Sequence, residues 1–396
     1  MQIYTVGGAV RDRLLGFEPQ DVDYVVVGAT PAQMLACGYH QVGADFPVFL
    51  HPDTKAQYAL ARIERRTIPA GTSTGVVPPC PDVTLEDDLG RRDLTVNAMA
   101  LDAHGQLIDP YGGQADLAAR VLRHVSASSF REDPIRVLRI ARLLARYPDF
   151  RVASETLALC QDMARTGELD ALVAERVWAE LSKGLLERVP SRMVEFLYSC
   201  GAVPPVLPEL AGWAATLSRT GAPVGQAEAM RVLDLAARRA ETLEVCFAVL
   251  CQATGLTPNQ VHALSARLKL PQECRDLGEL LCREQDELAH VQELDALELV
   301  QLFQRVDAFR RPARLRALLQ AHECCSHPAD TPAWTSCASA QWLHSAFKAA
   351  ARVNAGEIAQ QCAGPTEVSS RVQAARVAAV QAWLDGQVLL APLCFQ

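Results

Sequence analysis

The sequence predicts an α+β protein, with a head of short strands and helices followed by an all-helical remainder. Three observations lead there. Short apolar runs bounded by Gly, Pro, Asp or Asn crowd the N-terminal part, at Ile3–Val6, Tyr24–Val27, Val48–Leu50, Tyr58–Arg62 and Thr95–Leu101. After about Gly113 strand signals largely vanish and helical periods take over, at Pro134–Arg146, Ser154–Thr166, Ala174–Leu186, Glu228–Gln252 and Val368–Leu384. The chain has 396 residues, which at roughly 150 residues per domain suffices for two or three domains.

Taken in order, Ile3–Val6 runs into Gly7-Gly8, and Ala9–Leu15 then reads as a helix stopped by Gly16. The stretch Ile68–Asp82 (IPAGTSTGVVPPCPD) is rich in Pro, Gly and Thr and predicts a mobile loop within the head. Asp133-Pro134 predicts a helix start, with aspartate as N-cap and proline at the first helical position. Breaks near Val203–Pro208, Thr220–Gly225 and His327–Pro332 predict loops between groups of helices. No internal repeat or low-complexity tract interrupts this pattern.

Composition excludes several classes. With 49% hydrophobic and 21% charged residues the chain can bury a sizeable core and is not disordered. No apolar run approaches the roughly 18 residues of a membrane span. The opening MQIYTVGGAV lacks the basic start and apolar stretch of a secretory signal, so a soluble, cytoplasmic protein is expected. Thirteen scattered cysteines with no CxxC pair predict buried free thiols in a reducing compartment, not disulfides or structural zinc. Charge is uneven. Residues 1–119 carry a net −7, residues 120–192 a net +3, and residues 193–396 a net −4. That balance argues against indiscriminate nucleic-acid binding, and neither DNA nor a membrane is expected as a partner. The basic middle leaves room for one phosphate-rich partner.

Two glycines at a strand-to-helix turn let backbone amides approach an anion, and Arg11 follows one turn later. Next comes Asp21-Val22-Asp23, running straight into Tyr24-Val25-Val26-Val27. On a strand, residues i and i+2 share a face, so Asp21 and Asp23 should be neighbours. Two adjacent ionised carboxylates repel unless a cation lies between them, and Mg²⁺ is the natural one for hard oxygen ligands near a triphosphate. A lone DxD is commonly just a turn before a strand. The order glycine turn, short helix, DxD on the next strand sets a phosphate cradle beside a metal site and points to nucleotidyl transfer.

Further on, Arg136, Arg139, Arg142 and Arg146 fall within an arc of ~120° on one helical face, away from Val137, Ile140 and Leu144. Four like charges on one face are costly without partners. Acidic neighbours are the usual answer, but no acidic residue lies between Asp133 and Asp149. An external anion, a triphosphate with an RNA backbone, is a fair competitor. Asp133 itself reads first as a helix cap. Arg91 and Arg92, placed just before a predicted strand, are ordinary surface alone and a third side of a triphosphate site in combination.

With these motifs the sequence resembles the bacterial tRNA nucleotidyltransferases, the CCA-adding enzymes of the eubacterial and eukaryotic class. The resemblance is carried by GGAVRD (Gly7–Asp12), DVDYVVVG (Asp21–Gly28), DVTLEDDLGRRDLTVNA (Asp82–Ala98), IDPYGG (Ile108–Gly113), EDPIRVLRIAR (Glu132–Arg142) and ERVW (Glu175–Trp178). It covers residues 1 to about 190 and thins beyond. It implies a polymerase-beta-type nucleotidyltransferase head, a mixed sheet with flanking helices, at residues 1–118. It implies a helical neck that recognises the base at 119–190, and a helical body and tail that binds tRNA at 191–396. The implied reaction is transfer of CMP twice and AMP once, from CTP and ATP, onto the tRNA 3′ end without a template. By the same resemblance Asp21 and Asp23 are catalytic and bind Mg²⁺. Gly8, Arg11, Arg91, Arg136 and Arg139 contact the nucleotide, and Asp133 with Arg136 reads the base edge.

Two departures stand out. Relatives often carry a C-terminal phosphohydrolase site built on adjacent His-Asp, where this chain has Gln252-Ala253, so no phosphatase or cyclic phosphodiesterase activity is expected. The loop Ile68–Val77 keeps Thr74-Gly75 but lacks the aromatic residue expected after them. The rival readings are a poly(A) polymerase of the same superfamily, which would usually carry a more basic tail, and a non-catalytic tRNA-binding protein, against which the intact Asp21/Asp23 pair speaks. A small-molecule nucleotidyltransferase would lack the long helical arm.

Overall fold

Alternating β-favouring residues at Gln2–Val6 form β1, which Gly7 ends with a positive φ of 73° before helix α1 (Gly8–Leu14). The chain returns as β2 (Asp23–Val27), antiparallel to β1, with Val6 opposite Asp23. Helix α2 (Pro31–Ala36) starts on a capping box between Thr30 and Gln33, with proline in its first turn. Strands β3 (His40–Val42), β4 (Val48–Leu50) and β5 (Gln57–Leu60) follow. A second capping box, Thr84 with Asp87, opens α3 (Leu85–Gly90). The head is completed by β6 (Ala100–Leu101), β7 (Leu107–Ile108) and α4 (Gly113–Ala118). These observations come from a computed structural model describing residues 1–19, 21–42, 48–62, 82–212, 224–326 and 338–390.

Among the described residues the main sheet has seven strands in the order β3-β4-β5-β2-β1-β6-β7. It is mixed: β2 and β5 run parallel, while the other pairs are antiparallel. The period of two along β2 divides the core. Val25 packs with Val6, Leu89, Ala98 and Ala100 on one face, and Val26 with Met34, Tyr39, Phe49 and Leu60 on the other. Asp23 lies one period before Val25 and therefore shares the face that carries α3.

One predicted strand is not there. Thr95–Asn97 is a 3₁₀ turn, and only Ala100–Leu101 of the Thr95–Leu101 run pairs in the sheet. Its apolar residues are buried all the same, because α4 packs over the turn. Gly113 sits so close that a Cβ there would collide with the Thr95 carbonyl oxygen. The Asp109 carboxylate holds that helix start by accepting from the Gly113 and Gln114 amides at 2.8 Å each.

Beyond the head, β8 (Val121–Leu122) pairs in parallel with β9 (Arg151–Val152), and between them lie α5 (Ala127–Glu132) and α6 (Arg136–Arg146). Helix α7 (Ser154–Arg165) closes this stretch. The aspartate cap predicted for α6 is not formed. Asp133 follows the last residue of α5, its carbonyl accepts the Arg136 amide at 3.0 Å, and no side chain caps α6. Residues Met1–Leu172 with Phe196–Pro205 make one compact unit, and Val173–Glu195 with Val206–Gln396 make a second.

The second unit is helical in its described part, from α8 (Ala174–Leu185) onward. Helices α9 (Ser191–Ser199) and α10 (Val203–Val206) bridge the sequence, and α11 (Val224–Arg238) and α12 (Leu243–Ala253) follow. The predicted single helix over Glu228–Gln252 is thus two. Ala240 adopts a left-handed φ of 52°, and the Glu241 amide returns to the Ala236 carbonyl, closing α11. No glycine marks that stop, so the sequence hides it. Residues Val245–Cys251 of α12 are all buried, as suits a helix apolar all round. The chain continues as α13 (Pro258–Leu268), α14 (Gln272–Ala289), α15 (Ala296–Arg305) and α16 (Pro312–Ser326), of which α14 and α16 pack against α12, then as α17 (Ala338–Ala351), α18 (Ala355–Gln360) and α19 (Pro365–Leu390). Gln252 and Ala253 end α12, and the Gln252 amide donates to Gln285 at 3.3 Å. The cysteines of this unit include buried free thiols, and burial pushes Cys246, Cys274 and Cys282 up to about 12. The loop Ile68–Val77 lies outside the described residues, as do most of the predicted breaks Thr220–Gly225 and His327–Pro332. No described helix is long and apolar enough to cross a membrane.

Candidate active site

The site grows from one end of the sheet. Val6, the last residue of β1, pairs with Asp23, the first of β2, and Asp23 pairs in turn with Gln57, the first of β5. The Gly7-Gly8 turn therefore opens beside Asp23 by sheet register alone. Asp21 lies in the bend just before β2, not on the strand itself. Both aspartates are exposed, and no side-chain hydrogen bond or ion pair joins either carboxylate to another described residue. Neighbouring Tyr24 and Tyr58 stack at 4.5 Å across β2 and β5 and fix the strand start.

Two guanidinium groups flank the turn. A Cβ at Gly7 would stand 2.9 Å from Arg92 Nη1, and one at Gly8 would stand 3.3 Å from Arg11 Nη2. Gly7 thus serves twice: its φ is unfavourable for other residues, and its bare Cα makes room for Arg92. Arg11 is buried, 6% exposed, and is less open to a ligand than its place in the sequence suggested. Its Nε donates to Asp12 at 2.9 Å, its Nη2 lies 2.8 Å from the same Asp12 oxygen, and its Nη1 donates to Asn97 at 2.6 Å; Nη2 is also the atom nearest Gly8.

Asp88 organises the arginine pair. Fully buried on α3, it accepts from Arg91 Nε and Nη2 at 3.0 and 2.6 Å through one oxygen, and from Arg92 Nη2 at 3.2 Å through the other. Arg91 Nε also donates to the Arg62 carbonyl at 3.1 Å. A buried carboxylate serving two cations keeps both charges out of open water with their partners matched; losing one side of such a cluster costs about 3–5 kcal/mol. Arg92, read with Arg91 as a third side of a triphosphate site but not among the nucleotide contacts that the resemblance implied, is the one that reaches Gly7.

The arginine face of α6 meets the same turn. Arg136 Nη2 donates to the Arg91 carbonyl at 2.7 Å, and Nη1 donates to the Arg92 carbonyl and to Ser129 Oγ, each at 3.2 Å. Ser129 in turn donates to the Arg91 carbonyl at 2.8 Å. Burial pulls the Arg136 pKa below its usual value, with Asp93 and Asp133 opposing; the group stays charged at any physiological pH. Arg139 Nε lies 3.2 Å from Asp93 Oδ2, close enough for charge attraction though out of line for a hydrogen bond. Burial by itself would raise the Asp93 carboxyl, but Arg139, the Asn97 amide, Arg136 and the Leu94 N–H outweigh it and hold it below the carboxylate range. Arg146 reaches Asp12 at 2.9 Å.

Arg136, Arg139 and Arg146 find counter-groups inside the chain, on residues up to 134 positions away, and Arg142 too is not without a partner, so an external anion is not required to hold the row together. Asp12, Asp88, Asp93, Asn97 and Ser129 are the residues that pattern reading missed as partners. All but Ser129 lie inside GGAVRD or DVTLEDDLGRRDLTVNA, and only their pairing is new. Asp133 stands on the Arg136 side of this cluster, as its electrostatic coupling to Arg136 records.

For a metal, the chain offers two exposed carboxylates with hard oxygen donors at the open end of the sheet. Among the described residues no group of three or more His, Cys, Asp or Glu side chains is placed to hold an ion. That set suits Mg²⁺, which is usually held by one or two carboxylates while phosphates and water supply its other ligands. It does not suit zinc.

The comparisons agree with the fold. A family profile described as "Poly A polymerase head domain" matches residues 3–123, and one described as "Probable RNA and SrmB- binding site of polymerase A" matches residues 149–213. The "Multifunctional CCA protein" of Dechloromonas aromatica is 47% identical, over 97% of this chain and 98% of its own. That of Cupriavidus necator is 48% identical, over 98% of this chain and 100% of its own. Among solved structures, the Bacillus stearothermophilus CCA-adding enzyme in complex with CTP is 25% identical with a TM-score of 0.68, covering 98% of this chain and 93% of that one. A second complex of a CCA-adding enzyme with CTP shares the fold, with a TM-score of 0.65 at 21% identity over 98% and 91% of the two chains. A mixed-sheet head with an aspartate pair beside a glycine turn, relatives of near-half identity along their whole length, and this fold have one common reading: the chain belongs to the bacterial CCA-adding tRNA nucleotidyltransferases.

Proposed function

We propose that this chain builds and repairs the 3′-terminal CCA of tRNA, taking two CMP from CTP and one AMP from ATP without a template. The observation that carries this reading is the register that sets exposed Asp23 against Val6 and the Gly7-Gly8 turn, with Arg92 and Arg11 on the turn's two sides. Asp21 and Asp23 would hold Mg²⁺, which would lower the pKa of the RNA 3′-hydroxyl and neutralise triphosphate charge. Gly8 lets the phosphates approach the backbone, and Arg11 and Arg91, with Arg92, counter their charge. The 3′-oxygen forms its bond to the α-phosphorus, the α–β P–O bond breaks, and pyrophosphate leaves with the charge that the arginines offset.

Base choice falls to the start of α6. Asp133 accepts from the exocyclic amino group that cytosine and adenine both carry, and Arg136 donates to a ring nitrogen or carbonyl. Arg136 can do so while anchored, since two of its five N–H groups hold the Arg91 and Arg92 carbonyls, a third holds Ser129, and two remain. Arg139, steadied by Asp93, adds a further nucleotide contact. The working division is a catalytic head at 1–118, a base-recognition neck at 119–190, and a tRNA-binding body and tail at 191–396, acting in the cytoplasm. With Gln252-Ala253 at the end of α12 where relatives often carry His-Asp, no phosphohydrolase activity is expected, which an assay of 2′,3′-cyclic nucleotide hydrolysis with added divalent metal tests.

The deciding experiment offers tRNAs ending before C, after C, after CC and after CCA with each nucleoside triphosphate singly. CMP should enter the first two, AMP only the third, and nothing the last. Chelation should stop all transfer, and Mg²⁺ should restore it. Runs of A on any of these ends, with no use of CTP, would instead identify a poly(A) polymerase.

A further inference from the structure

The Asp12 carboxylate takes no part in the steps above, yet it is only 4% exposed and is the most heavily engaged charge on α1. An aspartate in the last turn of a helix opposes the helix dipole, so helix formation does not explain it. Its oxygens are taken up by three other side chains. Oδ1 accepts from Arg11 Nε at 2.9 Å and from the Tyr147 hydroxyl at 2.5 Å, while Oδ2 accepts from Arg146 Nη2 at 2.9 Å. The Tyr147 ring carries both cations, with Arg11 5.2 Å and Arg146 5.4 Å from its centre. Tyr147 itself is buried, 4% exposed, against Phe17 and Phe150. Arg11 Nη1 is fixed on its other side by Asn97, whose amide donates to Asp93, and Asp93 faces Arg139.

These contacts form one continuous chain of charges and amides from the glycine turn to both ends of α6. Nε and Nη2 of Arg11 both lie against Asp12 Oδ1, at 2.9 and 2.8 Å, and Nη1 is held by Asn97, which fixes the guanidinium with Nη2 beside Gly8.

We infer that Asp12 is a positioning residue for nucleotidyl transfer: anchored by Tyr147 and Arg146, it locks Arg11 at the glycine turn and fastens that turn to the helix that carries Arg136 and Arg139. The inference rests on the functional reading above, in which Arg11 faces the triphosphate. It adds that phosphate binding and base reading share one rigid frame, so that loosening the far end of α6 weakens binding of CTP and ATP alike.

The test uses the full-length chain. Tyr147→Phe removes one hydroxyl and keeps the ring, so it preserves packing. The KM values for CTP and ATP should rise together by about fivefold with kcat within about twofold, since a hydrogen bond to a charged group is lost while the reacting atoms are untouched. Calorimetric titration with CTP should show the same loss of affinity, and the KM for tRNA should stay put. Asp12→Asn should cost nucleotide affinity about tenfold or more. In an Arg11→Lys background, Tyr147→Phe should add almost nothing, because both act through the same guanidinium. A Tyr147→Phe chain that melts earlier but binds CTP and ATP as the wild type does would overturn the inference. So would an effect that multiplies in full with that of Arg11→Lys. Wild-type protein that neither binds nor incorporates CTP would overturn the functional reading itself, and the inference with it.

Discussion

Asp23→Asn should reduce CMP and AMP incorporation by about 10³-fold or more while leaving the fold intact. The size follows from what is removed, a charge aimed at the place where negative charge gathers in the transition state; single groups of that kind are worth about 10²–10³ in rate. The indifference of the fold follows from exposure. Asp23 pairs by backbone with Val6 and Gln57, and asparagine keeps those hydrogen bonds. No ion pair ties its side chain to the described structure, so stability should shift by no more than about 0.5 kcal/mol. Two measurements check this together: single-turnover CMP transfer to tRNA lacking CCA, and a chemical denaturation curve. A variant that keeps near wild-type transfer removes Asp23 from the reaction. One that unfolds would show that the aspartate is structural.

Arg136→Lys should produce the second large effect, and of the opposite kind, because here site and scaffold are one group. The Arg136 guanidinium bridges two backbone carbonyls and a serine hydroxyl on separate atoms, which a lysine ammonium on a single nitrogen cannot span. At least one buried carbonyl loses its partner, at a cost of about 1–3 kcal/mol in stability. The Arg91–Arg92 segment then shifts relative to Asp133, and discrimination against UTP and GTP should fall by about tenfold or more, on the order of 1.4 kcal/mol. Ratios of kcat/KM for the four nucleotides measure it. A stable Arg136→Lys protein with unchanged ratios would place base choice elsewhere. Set beside each other, the two variants separate a residue that acts only on the substrate from one that also holds the site in shape.

Both predictions depend on residues that were visible in the chain before its structure was. The glycine turn and the DxD pair follow from local rules, since a strand end, a tight turn and a strand start each leave a signature within a few residues. The helices at 154–165 and 174–185 are legible for the same reason. Where local rules went astray, distance along the chain was the cause. Thr95–Leu101 looks like a strand because it is apolar and β-favouring, but contact with α4 holds its first half as a turn. The break at Ala240 leaves no trace, because the residue that takes the left-handed conformation is not glycine.

The arginine row shows the division most plainly. Sequence by itself determined that α6 would carry four guanidinium groups on one side, away from its apolar stripe, because helical geometry is a property of consecutive residues. It determined too that an aspartate pair would lead into the second strand beside a glycine turn. Only the tertiary structure decided which groups answer those arginines: the carbonyls of Arg91 and Arg92 for Arg136, Asp93 for Arg139, and Asp12 for Arg146. The physical reason is that periodicity acts between near neighbours, whereas a buried charge is satisfied by whatever oxygen the fold brings within about 3 Å, however far off in the chain it began.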